Sequence, residues 1–297
     1  MELSSQRPRR SVLFVPASNE KALTKADKLS CDAVIFDLED AVAPQAKQAS
    51  RERLSACFAL MGEMSLERVI RINSLSSEWG RDDLAVACAC RPDAILLPKV
   101  ETPGDLLQAR DALDQAEADS SMALWAMIET PRGVINVGPI GELGKDRAAR
   151  LSCLVAGTND LVKETGVRVD FDRRFIHPWL MQIVLGARAG GIDVLDGVSN
   201  DFRDLDAFAR ECAEGAAMGF DGKTLIHPAQ IGPANRAFSP APAAIAAARA
   251  IIAAFAQPEN AGKGVISLNG RMVEQLHLEQ AQRLLARSRP AQEDTSR

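Results

Sequence analysis

Glu129 and Asp160 are the residues of this chain whose types and surroundings most directly suggest chemistry. Glu129 closes an apolar run over residues 122–128 and Asp160 lies just past another over 151–156, each followed by turn-formers, in AMIETPRG and AGTNDL. A strand buried in a parallel sheet reads as such an unbroken apolar run. In barrels of alternating strands and helices the reacting groups sit where strands end. Two acids delivered to one rim can share a hard cation. Neither has a His or Cys beside it, so oxygen ligation is left, which favours Mg2+ or Mn2+ over Zn2+. Taken singly, each acid reads more simply as a helix cap or a surface ion pair; repetition of the pattern along the chain argues for a site.

The pattern does repeat. The run AVIF (33–36) ends at Asp37, Glu39 and Asp40, VIRI (69–72) carries Arg71 within it, and AILL (94–97) ends at Pro98 and Lys99. Several carboxylates gathered in one cavity need a cation, because like charges a few ångströms apart cannot all stay ionised. Mg2+ prefers one or two direct carboxylates, which matches two acids better than five. Arg71 has two readings: a buried ion pair with one of the DLED acids, or a fork that holds a substrate carboxylate or polarises a carbonyl. Lys99 has the same two, and we read it as structural. His227, before Pro228, reads as a cap on backbone groups.

These positions require a scaffold that brings strand ends together. Apolar runs at 11–15, 33–36, 69–72, 94–97, 122–128, 151–156, 192–195 and 220–226 predict eight strands. Helical patterns lie between them at 20–29, 44–61, 82–90, 105–118, 175–189 and 204–218, and a glycine-rich helical or loop segment follows the fifth strand. Eight such units close a (β/α)8 TIM barrel of the α/β class over residues 1–238. An open doubly wound sheet would place a glycine-rich turn after its first strand, whereas this one runs into Pro16 and Ala17. Residues 239–297 form an extension: a helix over 239–255, a loop over 257–264, a hairpin or turn over 265–272, and an amphipathic helix over 273–288. A polar, disordered tail begins at Arg289. Such an appendage suits a C-terminal helical lid packed across a barrel mouth or onto a neighbouring subunit.

Composition narrows the class. Of 297 residues 46% are apolar, enough for one large core, and a net charge of −5 with scattered basic residues argues against nucleic acid. No apolar segment is long enough to span a bilayer. Arg7, Arg9 and Arg10 precede too short an apolar stretch for a secretory signal. Six cysteines without a CxxC pair, in mostly apolar surroundings, point to a reducing, cytoplasmic compartment.

Eight strings taken in order, RSVLFVPASNEKALTKA, AVIFDLEDAV, VIRIN, LLPKVE, AMIETPRGV, AGTNDL, GKTLIHPAQI and GRMVEQLHLEQAQRLLA, resemble the citrate lyase beta-subunit and malyl-CoA lyase family, within the HpcH/HpaI-type aldolases. The likeness runs from Arg10 to about Arg287. It implies a Mg2+-dependent barrel, a homotrimer or dimer of trimers, that breaks or forms a carbon–carbon bond beta to a thioester. It makes Glu129 and Asp160 the metal ligands, with Glu39 and Asp40 reaching the metal through water. Arg71 is the arginine on the substrate carbonyl or carboxylate, and the turn Pro131, Arg132, Gly133 after Glu129 binds substrate carboxylate. In the lid the family commonly carries an Asp in a GxMVD-like string, assigned to the acetyl proton; here Glu274 stands in its place, followed by Gln275 and Leu276. The added methylene can move the acceptor by over an ångström, and such misplacement costs about a hundredfold in rate. The implied reaction is cleavage of a malyl-, citramalyl- or citryl-CoA thioester to an acetyl thioester and a 2-oxo acid, with Arg71 and Glu274 catalytic and with Arg10, Lys21 and Lys25, near the first helix, as candidates for the CoA contacts. Its alternatives are hydrolysis of a malyl-type thioester, or the beta subunit of a citrate lyase complex acting on an acyl-carrier protein.

Overall fold

The computed structural model describes residues 7–62, 66–169 and 172–288. Eight parallel strands close in sequence order: β1 Ser11–Pro16, β2 Ala33–Asp37, β3 Glu67–Arg71, β4 Ala94–Leu97, β5 Ala123–Ile128, β6 Leu151–Ala156, β7 Asp193–Asp196 and β8 Gly222–Leu225. Closure is made by β1 on β8, with Val12 opposite Thr224. Because side chains alternate across a strand, each strand divides its residues between two cores. Val12, Ile35, Val69, Leu96, Trp125, Met127, Cys153 and Val155 fill the barrel interior. Leu13, Val34, Phe36, Ile70, Ile95, Ala126 and Leu154 pack outward. The same alternation carries Asp37 and Arg71, one register step above the interior apolar layer and paired across β2 and β3, into the mouth of the barrel.

The helices in chain order are α1 Glu20–Leu23, α2 Lys47–Leu60, α3 Gly80–Cys90, α4 Pro103–Gln115, α5 Pro131–Ile135, α6 Val137–Glu142, α7 Thr158–Thr165, α8 His177–Gly190, α9 Leu205–Met218 and α10 Ile231–Ala237. The helix expected over 20–29 is cut to four residues and a 3-10 turn. The Thr24 hydroxyl donates back to the carbonyls of Glu20 and Lys21, ending α1 early. A helix the sequence reading missed, α7, begins directly after β6 and carries Asp160 in its first turn. Gly166 closes it in the left-handed conformation, φ 70°. No single helix among the described residues is long and apolar enough to cross a membrane.

The chain divides into two compact units: Arg9–Phe238 holds the barrel, and the described residues from Ser239 belong to the other. In the second unit α11, Pro242–Phe255, is followed by an antiparallel pair, β9 Val265–Leu268 and β10 Arg271–Glu274, and by α12 Gln275–Arg287. The last helix therefore starts two residues later than its periodicity suggests, because Val273 and Glu274 pair with Ile266 and Val265. The tail from Arg289, expected to be disordered, lies outside the described residues.

Candidate active site

Where β2 and β3 end, the Arg71 guanidinium meets Asp37 in a two-pronged pair, Nε to Oδ1 at 2.7 Å and Nη2 to Oδ2 at 2.6 Å. Asp37 is held in turn by the amides of Glu39 and Ala41. The remaining nitrogen, Nη1, lies 2.9 Å from Glu39 Oε2 and 3.7 Å from Asp40 Oδ2. Its other neighbour is Met127 Sδ at 3.7 Å, a weak acceptor that a substrate oxygen would replace to advantage. Burial alone would depress the Arg71 pKa, but Asp37, by charge and by hydrogen bonding, and then Glu39 raise it. The ion-pair reading of Arg71 therefore holds, with all three nitrogens near carboxylates, and the residue also lines the cavity described below.

Glu129 extends the inward parity of β5 one step past Met127 and is wholly buried. Its Oε1 accepts the Lys99 amide at 2.8 Å, while Oε2 is buried with no hydrogen-bond partner. Burial, then the charge of Glu39, push the Glu129 carboxyl up to about 8; the Lys99 amide and Arg71 oppose that rise, and Asp160 adds to it. Glu39 is raised as well, by burial first, with Arg71 and Lys99 opposing. A desolvated carboxylate with one oxygen unpaired is costly; a cation at Oε2 would remove the cost. Among the described residues no group of three or more His, Cys, Asp or Glu is placed to hold a metal by itself. A cation here would take Glu129 and Asp160 and fill its other positions with water or substrate, the habit of Mg2+. The donor set therefore fits that ion.

A cavity of about 350 Å3 opens onto Asp160, Asp40 and Arg71, with Phe14, Val198 and Ile226 among its apolar walls. Gly157 through Asp160 also line it, so the N-terminal turn of α7 faces the space. The first intrahelical bond runs from the Leu161 amide to Gly157. The amides of Thr158, Asn159 and Asp160 are left without intrahelical acceptors, and the positive end of the helix favours an anion there.

Pro131, Arg132 and Gly133, expected to bind substrate carboxylate, sit on a different turn, at the start of α5. Pro131 has no N–H, the Gly133 amide is taken by Thr130 Oγ1 at 3.0 Å, and Arg132 points to Glu101 at 3.8 Å with most of its side chain exposed. None of the three lines the cavity. Gly133 is instead a packing residue, since a Cβ there would lie 2.6 Å from the Val100 carbonyl. Arg10 is engaged elsewhere. It precedes β1, at the floor of the barrel, where Nε and Nη2 bind Asp32, both at 2.8 Å. Lys21 and Lys25 are exposed on and after α1, and neither lines the cavity. Glu274 belongs to the second unit, where it ends β10 and opens α12 in a capping box with His277; His277 Nδ1 accepts the Glu274 amide at 2.9 Å. His227 caps the turn after β8, as read from sequence, its Nδ1 accepting the Ala229 amide.

Comparison with known proteins gives the family. Residues 10–228 match the family described as HpcH/HpaI aldolase/citrate lyase. The chain is 44% identical over 281 residues to a (3S)-malyl-CoA thioesterase of Cereibacter sphaeroides, covering 95% of each. It is 34% identical to the mitochondrial citramalyl-CoA lyase of Rattus norvegicus over 94% of this chain and 85% of that one. Among solved structures, CitE from Mycobacterium tuberculosis in complex with magnesium, acetoacetate and coenzyme A superposes with a TM-score of 0.72 at 29% identity, over 95% of this chain and 97% of that one.

Proposed function

Since the chain belongs to the HpcH/HpaI aldolase/citrate lyase family, whose members are enzymes, we propose that it acts on a malyl-type CoA thioester with Mg2+ held by Glu129 and Asp160. The observation that carries this reading is the buried, unpaired Oε2 of Glu129, packed against Gly157, which lines a cavity together with Asp160 and Arg71. The sequence alone puts carbon–carbon cleavage first. The 44% identity to a thioesterase, against 34% to a lyase, together with Glu274 in place of the family Asp, moves hydrolysis ahead.

Mg2+, when bound, supplies Lewis-acid polarisation of substrate oxygens. The rest is done by the chain. The N-terminal turn of α7 takes the substrate carboxylate, and Arg71 Nη1 donates to the oxygen that gains charge. Asp40, at the cavity and more than half exposed, accepts the proton of the attacking water. The water oxygen joins the thioester carbonyl carbon, the carbon–sulfur bond breaks, and the departing thiolate takes the proton, giving free CoA and the hydroxydicarboxylate. Phe14, Val198 and Ile226 shield the acyl chain from bulk water.

The second reading, cleavage to an acetyl thioester and a 2-oxo acid, is favoured by the citramalyl-CoA lyase similarity. Chromatography of products from (3S)-malyl-CoA with Mg2+ separates the two. Free CoA with malate supports hydrolysis, acetyl-CoA with glyoxylate supports cleavage, and full turnover after chelator treatment defeats both. We hold a cytoplasmic enzyme, a homotrimer or a dimer of trimers, as part of the proposal, to be tested by sedimentation velocity and cell fractionation.

A further inference from the structure

Lys99 adopts a left-handed backbone, φ 49°, two residues past the end of β4, after Pro98. Residues with a Cβ are disfavoured there, and such outliers persist only where surrounding structure holds them. Two bonds show what the turn achieves. The Lys99 amide donates to Glu129 Oε1 at 2.8 Å, and the next amide, Val100, returns to the β5 carbonyl of Met127 at 3.2 Å. Meanwhile the ammonium of the same residue lies 3.3 Å from Glu39 Oε1. One residue thus touches two acids of the site, by its main chain and by its side chain.

From this geometry we propose that Lys99 is a positioning residue whose left-handed main chain fixes Glu129 Oε1 and so turns Oε2 toward the metal. The sequence gives Lys99 a structural reading, and the ammonium alone would fit it. The main-chain bond does not, because it falls on the carboxylate whose second oxygen is buried and unpartnered. The inference rests on Glu129 being a metal ligand.

The test compares Lys99→Gly, Lys99→Ala and Lys99→Val in the full-length protein. All three lack the ammonium, so the charge around Glu39 is equal, and they differ only in tolerance of a positive φ. The readout is Mn2+ affinity by electron paramagnetic resonance, with circular dichroism confirming the fold. Affinity should fall in the order Gly, Ala, Val, by roughly tenfold or more from end to end. Should Val not fold, the Gly and Ala pair alone decides, with a fall of roughly threefold or more expected. Equal affinity across the folded variants overturns the inference while leaving the metal reading intact. Failure of the wild-type protein to bind Mn2+ overturns the metal reading, and the inference falls with it.

Discussion

Gly157 lies so close against Glu129 that a Cβ on it would stand 2.7 Å from Oε2 and closer still to the Glu129 Cβ. The residue opening the Asp160 turn therefore keeps clear the space in front of the buried carboxylate oxygen. A methyl group here cannot be absorbed by swinging the carboxylate alone, because the Glu129 stem is in the way. Gly157→Ala should leave a folded barrel, destabilised by about 1–3 kcal/mol through overpacking, with kcat/KM lowered about a hundredfold or more. Urea melts and steady-state kinetics read the two effects. Wild-type turnover in the variant would show that Oε2 needs no open space.

The pH dependence follows from Glu129. Its carboxyl, lifted to about 8 by burial first and Glu39 second, stands well above the ordinary value of 4.5. A folded-state value raised in this way gives stability that is fully present below 4.5 and is lost as pH rises through 8. In chelator, the melting temperature of the wild-type protein should thus fall across that window, and that of Glu129→Gln should stay nearly flat. Metal binding must expel the proton, so Mg2+ affinity should rise about tenfold per pH unit up to 8 and then level. Isothermal titration at successive pH values checks this; a flat affinity from pH 6 to 8 would show that the carboxylate is already ionised.

Much of this centre is legible in the sequence, for a physical reason. A barrel strand buried on both faces must be apolar, so the acids of AMIET and DLED stand out as the first polar residues past each run, and the alternation of side chains decides which enter the mouth. Arg71 stands out for the converse reason, a charge inside VIRI. What the sequence concealed is local geometry. The start of α7 is hidden because Gly157 and Thr158 look like turn residues, and their value lies in close approach and in free amides. The two uses of ETPRG could not be separated either, since a Thr-capped helix and an anion-binding turn have the same spelling. Arg10 and Glu274 were read from nearness in sequence and from motif position, and neither signal shows the local partners the structure gives them. An arginine before a first barrel strand lies at the end opposite the reacting groups, and a glutamate followed three residues later by His277 spells a helix cap.

Arg71 offers a charge-conserving test. Lys cannot reproduce the two-pronged pair with Asp37, and a single ammonium cannot serve Asp37 and the cavity together. Arg71→Lys should retain most of the fold while kcat falls by about a hundredfold to a thousandfold, the usual loss for one donor to a developing charge. Arg71→Met leaves Asp37 and Glu39 buried without their partner and should cost about 3–5 kcal/mol. Kinetics and denaturant curves separate the two, and an Arg71→Lys variant with unaltered kcat would reduce the residue to an ion pair.

Arg10 should prove indifferent to substrate. Its bonds to Asp32 hold the floor of the barrel, so Arg10→Ala is expected to lose about 1.5–3 kcal/mol of stability with the charged hydrogen bonds. KM for the CoA thioester should stay within about twofold, since no contact with the mouth is lost. A KM rise in a variant of normal stability would return Arg10 to the binding surface.

Glu274 offers the test of which bond breaks. As it stands, its carboxylate and His277 close the N-terminus of α12, a role in which Asp serves equally well. Glu274→Asp should therefore preserve the cap and the melting temperature while shortening the reach of the carboxylate to that of the family residue. If an Asp at this point supplies the proton for carbon–carbon cleavage, the variant should form acetyl-CoA and glyoxylate from (3S)-malyl-CoA about tenfold to a hundredfold faster than wild type. Release of free CoA should change little, because hydrolysis requires no proton at the acetyl carbon. Glu274→Ala supplies the control, losing about 1 kcal/mol with the cap and gaining no cleavage. Product chromatography over time reads all three. Cleavage products from the wild type at the level of the Asp variant would put the lyase reading ahead, and their absence from both would leave Glu274 as a helix cap alone.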